Sequence, residues 1–345
     1  MGDLNKKITD FHYGKKSPLF FLLFLLPSIL YFIVISIKNY LYEIGFFVEE
    51  KVNAYVICVG NLTTGGVGKT PVVIEIANYL SSLNKRVTIL TRGYGGKLDK
   101  KQIHLVKSGN EILIDDSNLS GDEVNLIAHS TKNVGIVVSA DRVAGAKYAI
   151  EKLDADIILM DDGFSNRKIY KDLNLILIDE FKMFGNNKVL PLGPLREPVS
   201  EIKRANKVLF INKNEIKNKK YYDFIEKLKK PYSVCKMTLS EAYNIKTGEI
   251  LEVDKDIIAF SGIGQPEQFY SSLAEKYNIK GTMSFNDHFE YSQKTMDEIV
   301  LKMKETNSEA IITTEKDMVK LLKLNNIDNV FVVKLKADFD VESIF

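Results

Sequence analysis

Residues 60 to 71 read Gly60-Asn61-Leu62-Thr63-Thr64-Gly65-Gly66-Val67-Gly68-Lys69-Thr70-Pro71, and they constrain this chain more than any other stretch. An apolar run, Ala54 to Val59, precedes them and reads as a buried strand. Pro71 to Leu80 follows and reads as a helix. Glycines let a turn wrap so that backbone N–H groups face an anion, and a helix N-terminus adds the positive end of its dipole. Strand, glycine-rich turn, Gly-Lys-Thr and helix together hold nucleotide phosphates. Lys69 would reach the β- and γ-phosphates, and the Thr70 hydroxyl would ligate Mg²⁺. Thr63 stands where the consensus has glycine. The expected phosphate-binding residues are Thr63, Thr64, Gly65, Gly66, Val67, Gly68, Lys69 and Thr70.

A chain of 345 residues is long enough for about two domains. The formal net charge of +2 implies no polyanion partner, so no nucleic acid is expected. The histidines, His12, His104, His129 and His288, are too scattered for a zinc cluster, and Cys58 and Cys235 stand alone. Leu19 to Ile37 carries no charge and, as a helix of about 28 Å, is just long enough to cross a bilayer. It has too little polar surface for an ordinary core helix and no small-residue cleavage site after it, so membrane association is expected. Lys6, Lys7, Lys15 and Lys16 before it favour a cytoplasmic N-terminus. Pro27 admits a kinked or re-entrant path, and a simple span with the N-terminus outside is the alternative.

Strand-like runs at 86–91, 134–139, 156–162, 173–179 and 207–212 alternate with helical ones. The expected fold is α/β, a parallel sheet of P-loop NTPase type with helices on both faces and its site at the carboxyl ends of the strands. A second, smaller α/β pattern begins near Pro231. The expected divisions are a membrane-associated segment at 1–48, a P-loop body at 49–230 and a C-terminal α/β domain at 231–345.

Asp161-Asp162 closes a strand downstream of the loop, where phosphate-transferring enzymes place a carboxylate for Mg²⁺. Asp122 and Glu123 open a helix. Acidic residues there suit the helix dipole, and equally suit a general base or a carboxylate near the metal; the residues alone leave both open. His288 has Asp287 beside it to orient it. Arg92, Arg142 and Arg196 are placed to grip phosphate, with surface ion pairing as the ordinary alternative.

Taken in order, these pieces resemble the tetraacyldisaccharide 4'-kinase family, the lipid A 4'-kinases of Gram-negative bacteria. The resemblance rests on the membrane helix, Val59 to Pro71, Thr91-Arg92-Gly93-Tyr94-Gly95, Gly121-Asp122-Glu123, Asp141-Arg142, Asp161-Asp162-Gly163-Phe164, Leu190 to Pro198, Asp287-His288 and Thr314-Glu315-Lys316-Asp317. It spans nearly the whole chain, and Thr63 matches the family. It implies transfer of the ATP γ-phosphoryl group to the 4'-hydroxyl of an acylated glucosamine disaccharide 1-phosphate in the inner membrane, with the catalytic body on the cytoplasmic side. It implies Asp122 with His288 as the base, Lys69 and Arg142 as charge stabilisers, and Mg²⁺ near Thr70, Asp161, Asp162 and Glu197. Tyr94, Arg196 and Glu123 are implied near the headgroup, and no obligate protein partner is implied. The chain departs from the family pattern at Ser165-Asn166, where Gln-His is usual, and at Phe289, where a second His is common. A switch-type nucleotide hydrolase would need Asn-Lys-x-Asp; Asn212-Lys213-Asn214 is followed by Glu215. It would also leave the membrane segment and His288 unexplained. A membrane-anchored assembly protein using nucleotide only for structure would fold without nucleotide and turn over no lipid acceptor.

Overall fold

A computed structural model of the protein describes residues 2–213, 219–264, 266–286 and 289–345; Asn214, Glu215, Asp287 and His288 lie outside the described residues. Two helices come first, α1 (Gly2–His12) and α2 (Pro18–Glu43). Then follow β1 (Tyr55–Gly60), α3 (Lys69–Ser82), β2 (Val87–Thr91), β3 (His104–Ser108), β4 (Glu111–Ile112), α4 (Ser117–Ser120), α5 (Asp122–Ser130), β5 (Gly135–Val138), α6 (Arg142–Leu153), β6 (Ile157–Asp161) and β7 (Leu173–Asp179). The chain continues through β8 (Lys207–Asn212), α7 (Lys219–Ile225), β9 (Tyr232–Leu239), β10 (Tyr243–Asn244), β11 (Asp256–Ser261), α8 (Pro266–Ala274) and β12 (Asn278–Ser284). It ends with α9 (Gln293–Glu305), β13 (Ala310–Thr314), α10 (Glu315–Leu321), β14 (Val330–Val333) and β15 (Leu335–Asp338).

The apolar runs become strands because a parallel sheet covered on both faces has no polar side to alternate with. β2, β5 and β6 are buried at every position. The first sheet has the order β15-β9-β8-β7-β1-β6-β2-β5-β3-β4, parallel from β9 to β5 and antiparallel at both edges. Val72, Val73 and Ile76 of α3 and Val124 and Ile127 of α5 pack on one face. Ala146 and Ala149 of α6 and Tyr221 of α7 pack on the other. A second sheet, β10-β14-β13-β11-β12, is parallel apart from β10.

The expected C-terminal unit at 231–345 includes β9 and β15, which hydrogen-bond into the first sheet. The chain passes between the sheets twice, after Leu239 and again between Val333 and Leu335. These two crossings run side by side, with Ser240 N donating to Lys334 O at 2.9 Å.

Ser17 caps α2, accepting from Phe20 N at 3.4 Å, and Pro18 takes the first turn, where its missing N–H costs nothing. Among the described residues α2 is the one helix long and apolar enough to cross a membrane. One stripe of it is tied to the body. Ser28 Oγ donates to Val189 O at 2.8 Å, Tyr31 OH to Arg196 O at 2.7 Å and Lys38 Nζ to Ser165 O at 2.9 Å. Asn39 Nδ2 reaches Glu197 Oε2 at 3.4 Å, and Ile35 is buried between these contacts. That three-and-four spacing is one helix face. The other face leaves Leu22, Leu26, Leu30, Ile33 and Ile37 exposed.

Candidate active site

The glycine-rich turn leaves β1 at its carboxyl end and enters α3 at Lys69. Gly68 caps α3 with φ +105°, a conformation L side chains rarely adopt, and a Cβ there would stand 2.7 Å from Met237 Cε. Thr63 is buried, because its segment pairs with Leu195 and Thr64 N donates to Pro194 O at 2.8 Å. A Cβ built at Gly65 or Gly66 meets nothing within 4 Å, so the turn opens onto space. That space is a cleft of about 2290 Å³, lined by residues 63–71 and by loops from both sheets.

Lys69 Nζ is held 3.1 Å from Asn61 Oδ1 and 3.6 Å from Asp162 Oδ2. Asp162 has φ +51° and its N–H still donates to Val59 O at 3.0 Å, which turns its carboxylate out of the strand line toward the loop. Arg196 forks onto that carboxylate, Nη1 to Oδ2 at 2.9 Å and Nη2 to Oδ1 at 2.7 Å, and its Nη2 also bonds Asn61 O at 2.9 Å. A bidentate guanidinium fixes position as well as charge. Burial alone would raise the Asp162 carboxyl, but Lys69 and the Arg196 fork outweigh it and hold the group below the usual carboxylate range. Asp161 behaves in the opposite way. Burial, and then the negative charge of Glu123, push it up to about 6, while Thr91 Oγ1 donates to its Oδ2 at 3.3 Å.

Arg142, at the start of α6, is buried, and burial brings its guanidinium down to about 10. It donates to the carbonyls of Ser139 at 3.1 Å and Asp161 at 3.3 Å. It therefore acts on the strand end through the backbone. Glu123, Tyr94 and Thr70 line the cleft with Asp161 and Asp162. Among the described residues no three His, Cys, Asp or Glu side chains could hold a metal by themselves. Mg²⁺ needs less: one or two carboxylates, a hydroxyl and the oxygens of water and phosphate complete its octahedron. Asp161, Asp162 and Thr70 supply oxygens of that kind, and the crowded Asp161 carboxylate suits a cation.

Two expected residues stand elsewhere. Glu197 is fully buried under α2, held by Arg204 and by Asn39, and is not among the residues lining the cleft. The reason is local: α2 covers this segment and supplies polar partners to it. Asp122 opens α5 after Gly121 and is buried, with its Oδ2 at 2.7 Å from Lys320 Nζ of α10. His288 lies outside the described residues, and its neighbours Phe285 and Asn286 line the cleft. At one departure from the family pattern, Ser165 O and Asn166 O accept from Lys38 and Lys171; at the other, Phe289 O accepts from Lys320. Sequence reasoning missed Asn61, which orients Lys69, and Lys213, whose Nζ bonds Gly66 O at 2.8 Å and pairs with Asp179 at 3.1 Å. Both lay inside quoted motifs. Lys320 had no signal at all, being one lysine among many on amphipathic helices.

A mostly parallel sheet whose carboxyl edge carries the loops of a cleft defines the α/β proteins that bind ligands at strand ends. Comparison narrows this class. The chain belongs to the tetraacyldisaccharide-1-P 4'-kinase family, whose family model matches residues 20–345. It is 35% identical to the tetraacyldisaccharide 4'-kinase of Syntrophotalea carbinolica over 94% of this chain and 91% of that protein. It is also 35% identical to the one of Aquifex aeolicus, over 92% of this chain and 95% of that protein. The crystal structure of LpxK from Aquifex aeolicus in complex with ATP aligns with a TM-score of 0.74 at 34% identity, over 93% of this chain and 97% of that one.

The loop before α5 is tightly built. Gly121 has φ +97°, and a Cβ there would stand 2.6 Å from Tyr94 O, a backbone atom with nowhere to go. Gly121→Ala is expected to cost roughly 2 kcal/mol or more of stability in urea denaturation. An unchanged midpoint would contradict this packing.

Proposed function

We propose that this protein transfers the γ-phosphoryl group of ATP to the 4'-hydroxyl of a tetraacyl glucosamine disaccharide 1-phosphate, giving the bis-phosphorylated lipid A precursor. Family membership supports the reaction, and one observation carries its placement here. The glycine-rich turn, Lys69 at a helix N-terminus and the Asp161-Asp162 strand end face a single cleft. In this reading residues 63–70 act as a phosphate loop, with backbone N–H groups and Lys69 gripping the β- and γ-phosphates. Thr70, Asp161 and Asp162 would hold Mg²⁺, which neutralises developing phosphate charge when bound. Arg196 keeps Asp162 in register beside Lys69, and Arg142 steadies the strand end from behind. Glu123 and the exposed Tyr94 face the side from which a headgroup would enter.

An alcohol attacks phosphorus well only when a positioned base takes its proton. Asp122 paired with His288 is assigned that task, with the second sheet acting as a smaller unit that delivers the histidine. Phosphorylation of the tetraacyl disaccharide 1-phosphate by detergent-solubilised protein, with γ-labelled ATP and Mg²⁺, tests the reading. Labelled bis-phosphorylated lipid is expected, reduced at least about 100-fold by Lys69→Ala and by His288→Ala. ATP turnover without labelled lipid would refute the lipid assignment.

The membrane helix is read as lying along one leaflet of the inner membrane, with the cleft on the cytoplasmic side. A helix tied to the protein at Ser28, Tyr31, Lys38 and Asn39 cannot be surrounded by lipid. Near its other end, Phe20 and Phe24 pack against Phe11 of α1, whose neighbour His12 bonds Pro191 O at 2.8 Å. The outward leucines are the part left for acyl chains, as in interfacial helices. Changing Leu22, Leu26 and Leu30 to serine should weaken liposome binding by about tenfold or more without moving the unfolding temperature. Undiminished binding would argue against this orientation.

A further inference from the structure

One buried ammonium joins α5 of the first sheet to the segment that follows the second sheet's β12. Lys320 Nζ lies 2.7 Å from Asp122 Oδ2, and it donates to the carbonyl oxygen of Phe289 at 3.0 Å. The lysine side chain is 2% exposed and the aspartate 8%. Asp122 belongs to α5, which packs on the first sheet, while Phe289 directly follows the 287–288 segment after the second sheet's β12. Taking a lysine out of water costs several kcal/mol unless charge and hydrogen bonds compensate it. Here the compensation comes from both sides of the seam at once.

The helix that carries Lys320 is itself fixed. One turn earlier, Asp317 accepts from Thr314 Oγ1 at 2.7 Å, Gly262 N at 3.1 Å and Tyr291 OH at 2.9 Å. The ammonium is thus delivered to Asp122 from an anchored position rather than from a loose surface chain.

We propose that Lys320 is a positioning residue for proton removal. It fixes the Asp122 carboxylate against the Phe289 backbone, so that the carboxylate is held in one orientation across the seam. This rests on the reading of Asp122 and His288 given above. Among the described residues, Lys320 of α10 pairs with Asp122, Tyr291 lies near both Asp122 and Asp317, and Glu123 follows Asp122 on its own helix. Lys320 is the described cation in contact with the carboxylate. Removing its charge favours protonation of Asp122, which moves the acidic limb of the rate profile to higher pH.

The test compares Lys320→Gln, Lys320→Arg and Asp122→Asn in the lipid phosphorylation assay, across pH, with thermal unfolding as the check on folding. For Lys320→Gln, kcat is expected to fall about 10- to 100-fold, the KM for ATP to stay within about twofold, and the acidic limb to rise by about one pH unit. For Lys320→Arg the limb stays in place, because the charge is kept, and kcat falls severalfold, because a guanidinium does not meet both acceptors from one atom. Wild-type kcat and limb in Lys320→Gln, with Asp122→Asn impaired, would overturn the proposal and leave Lys320 a packing residue. Full activity in Asp122→Asn would instead overturn the underlying base assignment. Should Lys320→Gln fail to fold, Lys320→Arg decides alone: wild-type kcat there overturns the proposal, and a reduced kcat with unchanged ATP KM supports it.

Discussion

Two adjacent carboxylates at the end of a buried strand set the terms for the rest of this molecule. Asp161 and Asp162 follow four apolar residues of β6, and neither is easily left charged there. The chain resolves this unequally. Asp162 is turned outward and held ionised by Lys69 and the Arg196 fork, whereas Asp161 stays against the strand, crowded by Glu123 and pushed up to about 6. Such an arrangement keeps a cation-seeking group ready at the mouth of the glycine-rich turn, with a lysine already parked on its neighbour. Environments that drive two neighbouring acids apart are characteristic of reacting sites.

One segment, 189–197, links that edge to the long apolar helix α2. Its carbonyls at Val189 and Arg196 receive Ser28 and Tyr31 of α2, its Pro194 carbonyl receives Thr64 N, and its Arg196 side chain grips Asp162. A single loop thereby sets the distance between the outward apolar face of α2 and the glycine-rich turn. Under the proposed function, in which the substrate's acyl chains would stay in lipid, that distance decides whether the headgroup can reach the turn.

Much of the first sheet was legible because it is coded by local signals. The apolar runs at 173–179 and 207–212 became β7 and β8 at those residues, and Arg142 to Leu153 became α6 behind its Asp141 cap. The glycine-rich turn was legible because its function demands a local backbone shape. What escaped depended on contacts distant in sequence. Nothing near Glu197 signals that α2, some 160 residues earlier, covers it with Asn39. Nothing near Asp122 signals a lysine 198 positions later. The return of β15 to the first sheet is likewise a long-range pairing, set by Ala337 opposite Met237 rather than by composition. Even α2 was legible as long and apolar, while its attachment along one face came from four polar residues that look incidental in the sequence.

Under the proposed function, the Asp161-Asp162 strand end would hold the metal that accompanies ATP at the glycine-rich turn. Titration calorimetry of ATP into the wild-type protein and Asp161→Asn, each with and without Mg²⁺, addresses it directly. Mg²⁺ should tighten ATP binding by about tenfold or more in the wild type and have little effect in Asp161→Asn, whose metal-free ATP affinity should be preserved. The same Mg²⁺ enhancement in both proteins would contradict it.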